Sequence, residues 1–258
     1  MDNIILQINN IDEFKKIIGK EPYYGSPKLP FNQEEDYNQL NEFFKNKSVA
    51  IVGPAPDLIS KNKGSEIDSF DIVCKVGHHY KINDSENYGK RMDVLFNSCL
   101  PIYNTNKCEY NFDYLNNNDI KRIICPIKPC IPGILDVHKR NIFDTYENIK
   151  KKNPNIYFNN ISLFSCNIDN KINTRCTLGS FSIIFLLNMP IVKLGIYGFT
   201  WFQNKNSYNK EYHNIDKTVI NPHGTDMKIE ARYIKHLISK TNIKIQLSQE
   251  VKNILTLL

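Results

Sequence analysis

The stretch Ser48-Val-Ala-Ile-Val-Gly53 decides the fold class of this sequence. Its apolar residues form a short continuous run that ends in glycine, which is typical of a strand buried on both faces of a parallel sheet. The small residues Pro54 and Ala55 follow, so a ligand could approach the backbone closely where the strand ends. Because ligands of such sheets bind at this carboxyl end, we expect a binding site there; a plain strand-to-loop turn is the alternative interpretation.

Similar apolar runs recur along the rest of the chain. They lie at 71–76, 93–96, 122–125, 155–158, 192–197 and 244–247. Helical patterns separate several of these runs, notably at 179–188 and 226–240. Strands that alternate with helices predict a Rossmann-like α/β fold, with a mostly parallel sheet and helices on both faces.

The length of 258 residues fits one domain with insertions better than two domains. We place a helical lead-in at 1–47, where Leu40, Phe43 and Phe44 have helical spacing, and a single Rossmann-like domain at 48–258. Hydrophobic residues make up 41% and charged residues 23% of the chain. This balance excludes a largely disordered protein.

The charge pattern favours a small phosphate-bearing partner over nucleic acid. The chain carries 33 Lys and Arg against 27 Asp and Glu, a net charge of +6 that is spread along the sequence. A nucleic-acid interface would show a clustered basic patch, and no basic run here alternates with aromatic residues.

Cysteine usage and hydropathy indicate the cellular compartment of the protein. The seven cysteines are odd in number and form no C-x-x-C pair, so we predict neither a zinc site nor a disulfide framework. The first ten residues are polar and interrupted, unlike a secretory signal. The most apolar stretch, 180–199, is broken by Asn188, Pro190 and Lys193. We therefore expect a soluble cytoplasmic protein without a membrane span.

The segment from Val49 to Gly77 resembles the large sialylmotif of the eukaryotic sialyltransferase family. It runs from an apolar strand and Val-Gly, through a loop, to Ile67-Asp-Ser-Phe-Asp-Ile-Val73. The later Tyr88-Gly-Lys-Arg-Met-Asp-Val-Leu95 is similar to the continuation of that motif.

Two later segments, Thr177-Leu-Gly-Ser-Phe-Ser182 and Gly195-Ile-Tyr-Gly-Phe199, are similar to the small sialylmotif. Gly179 at a helix start would leave backbone N–H groups available to a phosphate or carboxylate. A buried helix packed under the sheet is the alternative, but it does not require the Tyr-Gly-Phe sequence. Further on, Tyr212-His213 followed by His223 and Glu230 resembles the third and the very short sialylmotifs.

The resemblance covers roughly residues 48–238 and implies a GT-A-like variant of the fold. It also implies an inverting, metal-independent glycosyltransferase that moves sialic acid, or a related acidic sugar such as Kdo, from a CMP-sugar to a glycan hydroxyl. The partners are thus a nucleotide-sugar donor, which is a co-substrate, and a glycan acceptor; no cofactor and no metal ligand is assigned.

The resemblance implies a role for each candidate site residue. His223 is the general base, since histidine has a suitable pKa. His213, with Tyr212 beside it, donates to the departing phosphate, where charge grows in the transition state. Glu230 is grouped with these catalytic residues and orients their loop. The nucleotide-binding set is Gly53, Pro54, Ala55, Gly77, Asn97, Thr177, Gly179, Tyr197, Gly198, Phe199 and Tyr212.

Departures from the family pattern keep two alternatives open. Pro54 and Gly77 stand where relatives have asparagines that contact the nucleotide, and Leu178 replaces a hydroxyl residue. A nucleotide-binding module with an eroded donor site is one alternative. The other alternative is a Mg-dependent, nucleotide pyrophosphokinase-like enzyme on the same sheet. Metal dependence of activity would distinguish it from the glycosyltransferase.

The resemblance also gives a prediction about packing. Secreted relatives join the large and small motifs by a disulfide, and the two cysteine positions align with Val49 and Ile191 here. Both residues are aliphatic, as suits a chain that folds in a reducing compartment. We expect them to be buried in one core.

Overall fold

A seven-stranded parallel sheet forms the centre of the protein. The computed structural model describes residues 32–98, 120–126, 146–173, 176–203, 208–209, 211 and 227–258. The sheet order is β5-β4-β3-β2-β1-β6-β7, and every pairing is parallel. The strands are β1 Ser48–Val52, β2 Ile72–Val76, β3 Val94–Phe96, β4 Arg122–Cys125, β5 Tyr157–Asn160, β6 Lys193–Tyr197 and β7 Lys244–Leu247. The predicted α/β fold is confirmed, with an entirely parallel described sheet in place of a mostly parallel one.

Helices cover the sheet. They are α1 Gln33–Phe44, α2 Gly64–Asp68, α3 Ser85–Tyr88, α4 Ser162–Ile172, α5 Leu178–Leu187, α6 Met227–Lys240 and α7 Gln249–Leu257, and residues 146–152 are also helical. The helices predicted at 179–188 and 226–240 correspond to α5 and α6. No helix within the described ranges is long and apolar enough to cross a membrane.

Alternate residues of β1 pack on opposite faces of the sheet, which explains its continuous apolar run. Val49 and Ile51 belong to the larger core, together with residues of α1, α4, α5, α6 and α7. Ala50 and Val52 belong to a second core that includes Ile67 of α2 and Tyr88 of α3. Because successive strand side chains point to opposite faces, both faces of β1 are buried.

The lead-in helix α1 is part of the larger core. Leu40 and Phe44 are fully buried there, as their helical spacing suggests, and Phe43 packs against the same cluster. The remainder of the predicted lead-in, up to residue 31, lies outside the described residues.

Strand β5 begins at Tyr157, two residues later than the sequence predicts. It also ends two residues later, at Asn160, where a tertiary contact to α1 holds it. Asn159 Nδ2 donates to Asp36 Oδ1 at 2.8 Å, and the backbone N–H of Asn160 donates to Asp36 Oδ2 at 3.1 Å. These two polar residues, which carry no apolar signal, are thereby held in the strand.

The packing expected of Val49 and Ile191 is confirmed. Their relative exposures are 0% and 6%, and both belong to the larger core. The register sets Val49 opposite Leu194, which follows Ile191 by three residues. Aliphatic packing therefore joins β1 to the segment before β6.

Candidate active site

A cavity of about 190 Å³ opens at the carboxyl end of the sheet. It lies where β1 and β6 end side by side, and the order of the strands along the sheet reverses between these two. Open α/β sheets bind their ligands at such a switch point. The cavity is lined by Pro54, Ala55, Val76, Ser98, Thr177, Leu178, Gly179, Ser180, Gly198, Phe199, Thr200, Trp201, Phe202, Tyr208 and Met227.

Two glycines bring the ends of β1 and β6 into close contact below this cavity. A Cβ atom added to Gly53 would lie 2.3 Å from the carbonyl oxygen of Gly198. Gly198 has a φ of +69°, and a Cβ there would lie 2.5 Å from the carbonyl oxygen of Gly53. The backbone N–H of Ala55 donates to Gly198 O at 3.1 Å, which fixes the loop after β1. Both positions thus require glycine.

The amino end of α5 supplies hydrogen-bond donors to the cavity. Thr177 is the N-cap residue, and its hydroxyl accepts from the N–H of Ser180 at 3.3 Å. Leu178 and Gly179 line the cavity in the first helical turn, where N–H groups have no partner within the helix. The partial positive charge of the helix terminus favours an anion at this position.

Glu230 holds the N-cap of α5 from the neighbouring helix α6. Its side chain is fully buried and accepts from the Thr177 N–H at 3.0 Å and from the Thr177 hydroxyl at 2.6 Å. Burial raises the pKa of the Glu230 carboxyl, while hydrogen bonds from Ser180 and Thr177 oppose that rise. Glu230 itself is not among the described residues that line the cavity.

Tyr197 belongs to the opposite face of the sheet. Its hydroxyl donates to Glu66 Oε1 at 2.7 Å and accepts from Gln246 Nε2 at 2.7 Å. The ring packs in the second core beside Phe70. The strand pleat therefore turns the Tyr197 side chain away from the cavity that Gly198 and Phe199 line.

Gly77 and Asn97 lie next to the cavity, beyond its lining residues Val76 and Ser98. Gly77 has a φ of +67°. The Asn97 side chain is 2% exposed, and its Nδ2 donates to the Gly77 carbonyl at 2.9 Å. The amide of Asn97 thus fixes the backbone at Gly77.

Tyr212, His213 and His223 lie outside the described residues, and described residues near them in sequence contact the loop after β1, the loop before α3 and the cavity. The N–H of Asn209 donates to Pro54 O at 2.7 Å, and Glu211 Oε2 accepts from the N–H of Asn83 at 2.6 Å. Met227, four residues after His223, lines the cavity.

Sequence reasoning missed the aromatic part of the lining. Trp201, Phe202 and Tyr208 contribute to the cavity, although no role was assigned to them. The sequence does hold a signal for two of these residues. Trp201 and Phe202 come two and three residues after Phe199, the last residue of the Tyr-Gly-Phe sequence, so they lie close to a predicted site residue.

A buried carboxylate lies in the turn after the β1 loop. Both oxygens of Asp57 are inaccessible to solvent and form no side-chain hydrogen bond within the described part of the chain. Burial raises the pKa of Asp57 from its ordinary 3.8 to about 7, and the charge of Glu250 adds to the rise. The folded protein therefore keeps a proton on Asp57 at pH values where the unfolded chain has lost it.

Replacing Asp57 with asparagine should raise the melting temperature at pH 8 and change it little at pH 4. Between those values the folded state binds more protons than the unfolded state, so wild-type stability falls as the pH rises through that window. The Asp57→Asn substitution would abolish this slope. As a control of opposite sign, Asp71→Asn should lower stability at pH 8, because hydrogen bonds from Ser48 lower the pKa of Asp71. Equal shifts of the Asp57 variant at both pH values would contradict the assignment.

Structural comparison shows that this α/β fold is that of solved sialyltransferases. The sialyltransferase CstII from Campylobacter jejuni, in complex with cytidine-5'-monophosphate, aligns with a TM-score of 0.51 at 16% identity, covering 79% of this chain and 80% of that chain. A CST-II variant in complex with CMP gives a TM-score of 0.53 at 16% identity, covering 78% and 80%. No protein-family model matches the sequence, and no curated protein matches it at the sequence level.

Proposed function

We propose that this protein is an inverting, metal-independent glycosyltransferase. It would transfer sialic acid or a related acidic sugar from a CMP-sugar to a glycan hydroxyl. The observation that carries the proposal is the cavity at the switch point, since residues of both sialylmotifs line it: Pro54 and Ala55 from the large motif, and Thr177, Gly179, Gly198 and Phe199 from the small one.

The amino end of α5 is the proposed binding site for the donor phosphate. The N–H groups of Leu178 and Gly179 are suited to an anion, and the adjacent helix α6 fixes this end through Glu230. A Cβ at position 179 would lie 3.0 Å from Phe199 Cε1, so glycine fits this end of the helix without displacing that ring.

The two histidines of the proposed mechanism lie outside the described residues, and each is close in sequence to a described residue. Four extended residues span at most about 14 Å, so His223 is tethered to the cavity residue Met227. His213 comes two positions after Glu211, whose Oε2 accepts from the N–H of Asn83. We keep His223 as the general base and His213 as a hydrogen-bond donor to the departing phosphate.

The proposed reaction is a single displacement at the anomeric carbon. His223 takes the proton of the acceptor hydroxyl as its oxygen bonds to that carbon. The bond from the anomeric carbon to the phosphate oxygen breaks on the opposite side, and CMP departs with the electron pair. His213, Tyr212 and the α5 N–H groups stabilise the charge that develops on the phosphate. Because these hydrogen-bond donors of the protein stabilise the charge, the proposed step requires no metal ion.

A thermal-shift comparison of nucleotides tests the donor assignment. CMP and CMP-sialic acid should stabilise the protein, by about 2.7 kcal/mol at 100 times the dissociation constant. UMP changes only the base and cytidine removes only the phosphate, so each should stabilise it less. Stabilisation by a purine nucleoside triphosphate with Mg²⁺, and not by CMP, would favour a pyrophosphokinase-like enzyme. CMP binding without any turnover would favour a binding module.

A further inference from the structure

The turn that follows β6 has an unusual backbone. Six non-glycine residues in the described part of the chain have a positive φ, and four of them are Asn or Ser. The other two are the consecutive aromatic residues Trp201, at +45°, and Phe202, at +56°. This conformation is unfavourable for bulky side chains, and such strain is typical of functional sites.

Several contacts hold this turn in place. The N–H of Gln203 donates to Thr200 O at 2.9 Å, and Gln203 Nε2 donates to Trp201 O at 3.0 Å. The Trp201 indole is buried, and its Nε1 donates to the Ser180 hydroxyl at 3.0 Å. The surrounding structure therefore maintains the strained turn at the edge of the cavity.

The turn presents an aromatic corner, formed by Phe202 and Tyr208, to the cavity. The two ring centroids are 5.3 Å apart, and the ring planes meet at 89°. Both side chains are half-buried and line the cavity. Two perpendicular rings offer adjoining apolar surfaces, unlike the slot between parallel rings that would sandwich a flat base.

We propose that Phe202 and Tyr208 are specificity-determining residues that hold the apolar C–H face of a pyranose ring. This inference rests on the proposed glycosyltransferase function. The polar groups beside the corner are engaged within the protein, since the Trp201 indole binds Ser180 and Gln203 binds the turn. A nucleobase needs hydrogen bonds at its edges, whereas a puckered sugar ring fits apolar surfaces that meet at an angle. The ring belongs either to the transferred sugar or to the acceptor.

Replacing Phe202 with asparagine separates this role from a structural one. Asparagine tolerates the left-handed conformation, so the variant should melt within a few degrees of the wild type. We expect an unchanged Kd for CMP and an approximately tenfold weakening towards one sugar-bearing ligand. A higher Kd for a non-hydrolysable CMP-sialic acid analogue would assign the corner to the donor sugar, and a higher acceptor KM alone would assign it to the acceptor. Phe202→Tyr keeps the ring and should restore both constants.

Other outcomes would overturn the inference. If CMP binding weakens as much as CMP-sugar binding, the corner contacts the nucleotide. If neither sugar-bearing ligand is affected, Phe202 has no part in binding. Should Phe202→Asn fail to fold, Tyr208→Leu carries the same test, because it removes the other ring at a residue without a positive φ. If the wild type transfers sugar from a CMP-sugar while Phe202→Asn leaves both sugar-bearing ligands unaffected, the pyranose assignment fails alone; if the wild type binds no CMP-sugar, the proposed function fails as well.

Discussion

Replacing His223 with alanine should lower the rate of sugar transfer by about 10²- to 10⁴-fold, which is the usual contribution of general-base catalysis. The affinity for CMP should be almost unchanged, because the base acts on the acceptor hydroxyl and not on the nucleotide. Steady-state kinetics with saturating donor, together with titration of CMP, would measure both quantities.

His236→Ala provides the matched control for the His223 variant. His236 is exposed on α6, so the same substitution there should leave transfer and CMP binding at wild-type levels. Near-normal turnover of His223→Ala would end its assignment as the base. Loss of CMP binding in that variant would move His223 to the donor side of the reaction.

Replacing Gly53 with alanine should both destabilise the protein and abolish CMP binding. The added Cβ would lie 2.3 Å from Gly198 O and 2.9 Å from Phe199 Cε1. Since the N–H of Gly53 also donates to Tyr197 O at 2.8 Å, the two backbones cannot separate without loss of pairing between β1 and β6. Overpacking of this kind typically costs about 1–3 kcal/mol in the free energy of unfolding. The displacement would also move Gly198, which lines the proposed donor site.

Gly179→Ala is the appropriate comparison for stability. The nearest atom to its added Cβ is a ring carbon of Phe199 at 3.0 Å, which belongs to a side chain and can move. Alanine is also favourable within a helix. Chemical denaturation should therefore show a clearly smaller loss for Gly179→Ala than for Gly53→Ala. Equal stabilities of Gly53→Ala and the wild type would show that the strand ends are not held together as described.

The parallel sheet was predictable because its central strands β1, β2 and β3 are buried on both faces. Each strand of this kind appears in the sequence as a continuous apolar run, as at 48–53 and 192–197. Strand β5 was predicted two residues too early. Its end at Asn160 depends on the contacts of Asn159 and Asn160 with Asp36 on α1. A contact between residues so distant in sequence leaves no local pattern.

The site could be predicted only where a motif residue, such as glycine, is required by the backbone conformation. Gly179 and Gly198 line the cavity, and Gly53 lies against Gly198, since glycine permits a close approach between chain segments. The pleat of β6 would have indicated that the Tyr197 side chain points away from the cavity, because alternate residues of a strand face opposite sides of the sheet. The bond from Thr177 to Glu230 spans 53 positions. Only the packing of α5 against α6 reveals it.

The most direct test of the proposed function is a transfer assay in EDTA. The protein is incubated with CMP-sialic acid or CMP-Kdo and a panel of glycan acceptors, and NMR follows CMP release together with the anomeric configuration of the product. We predict one CMP released per sugar transferred, inversion at the anomeric carbon, and no loss of rate in EDTA. Absence of transfer from either donor, or activity that requires added Mg²⁺ or Mn²⁺, would contradict the assignment as a metal-independent, CMP-sugar glycosyltransferase.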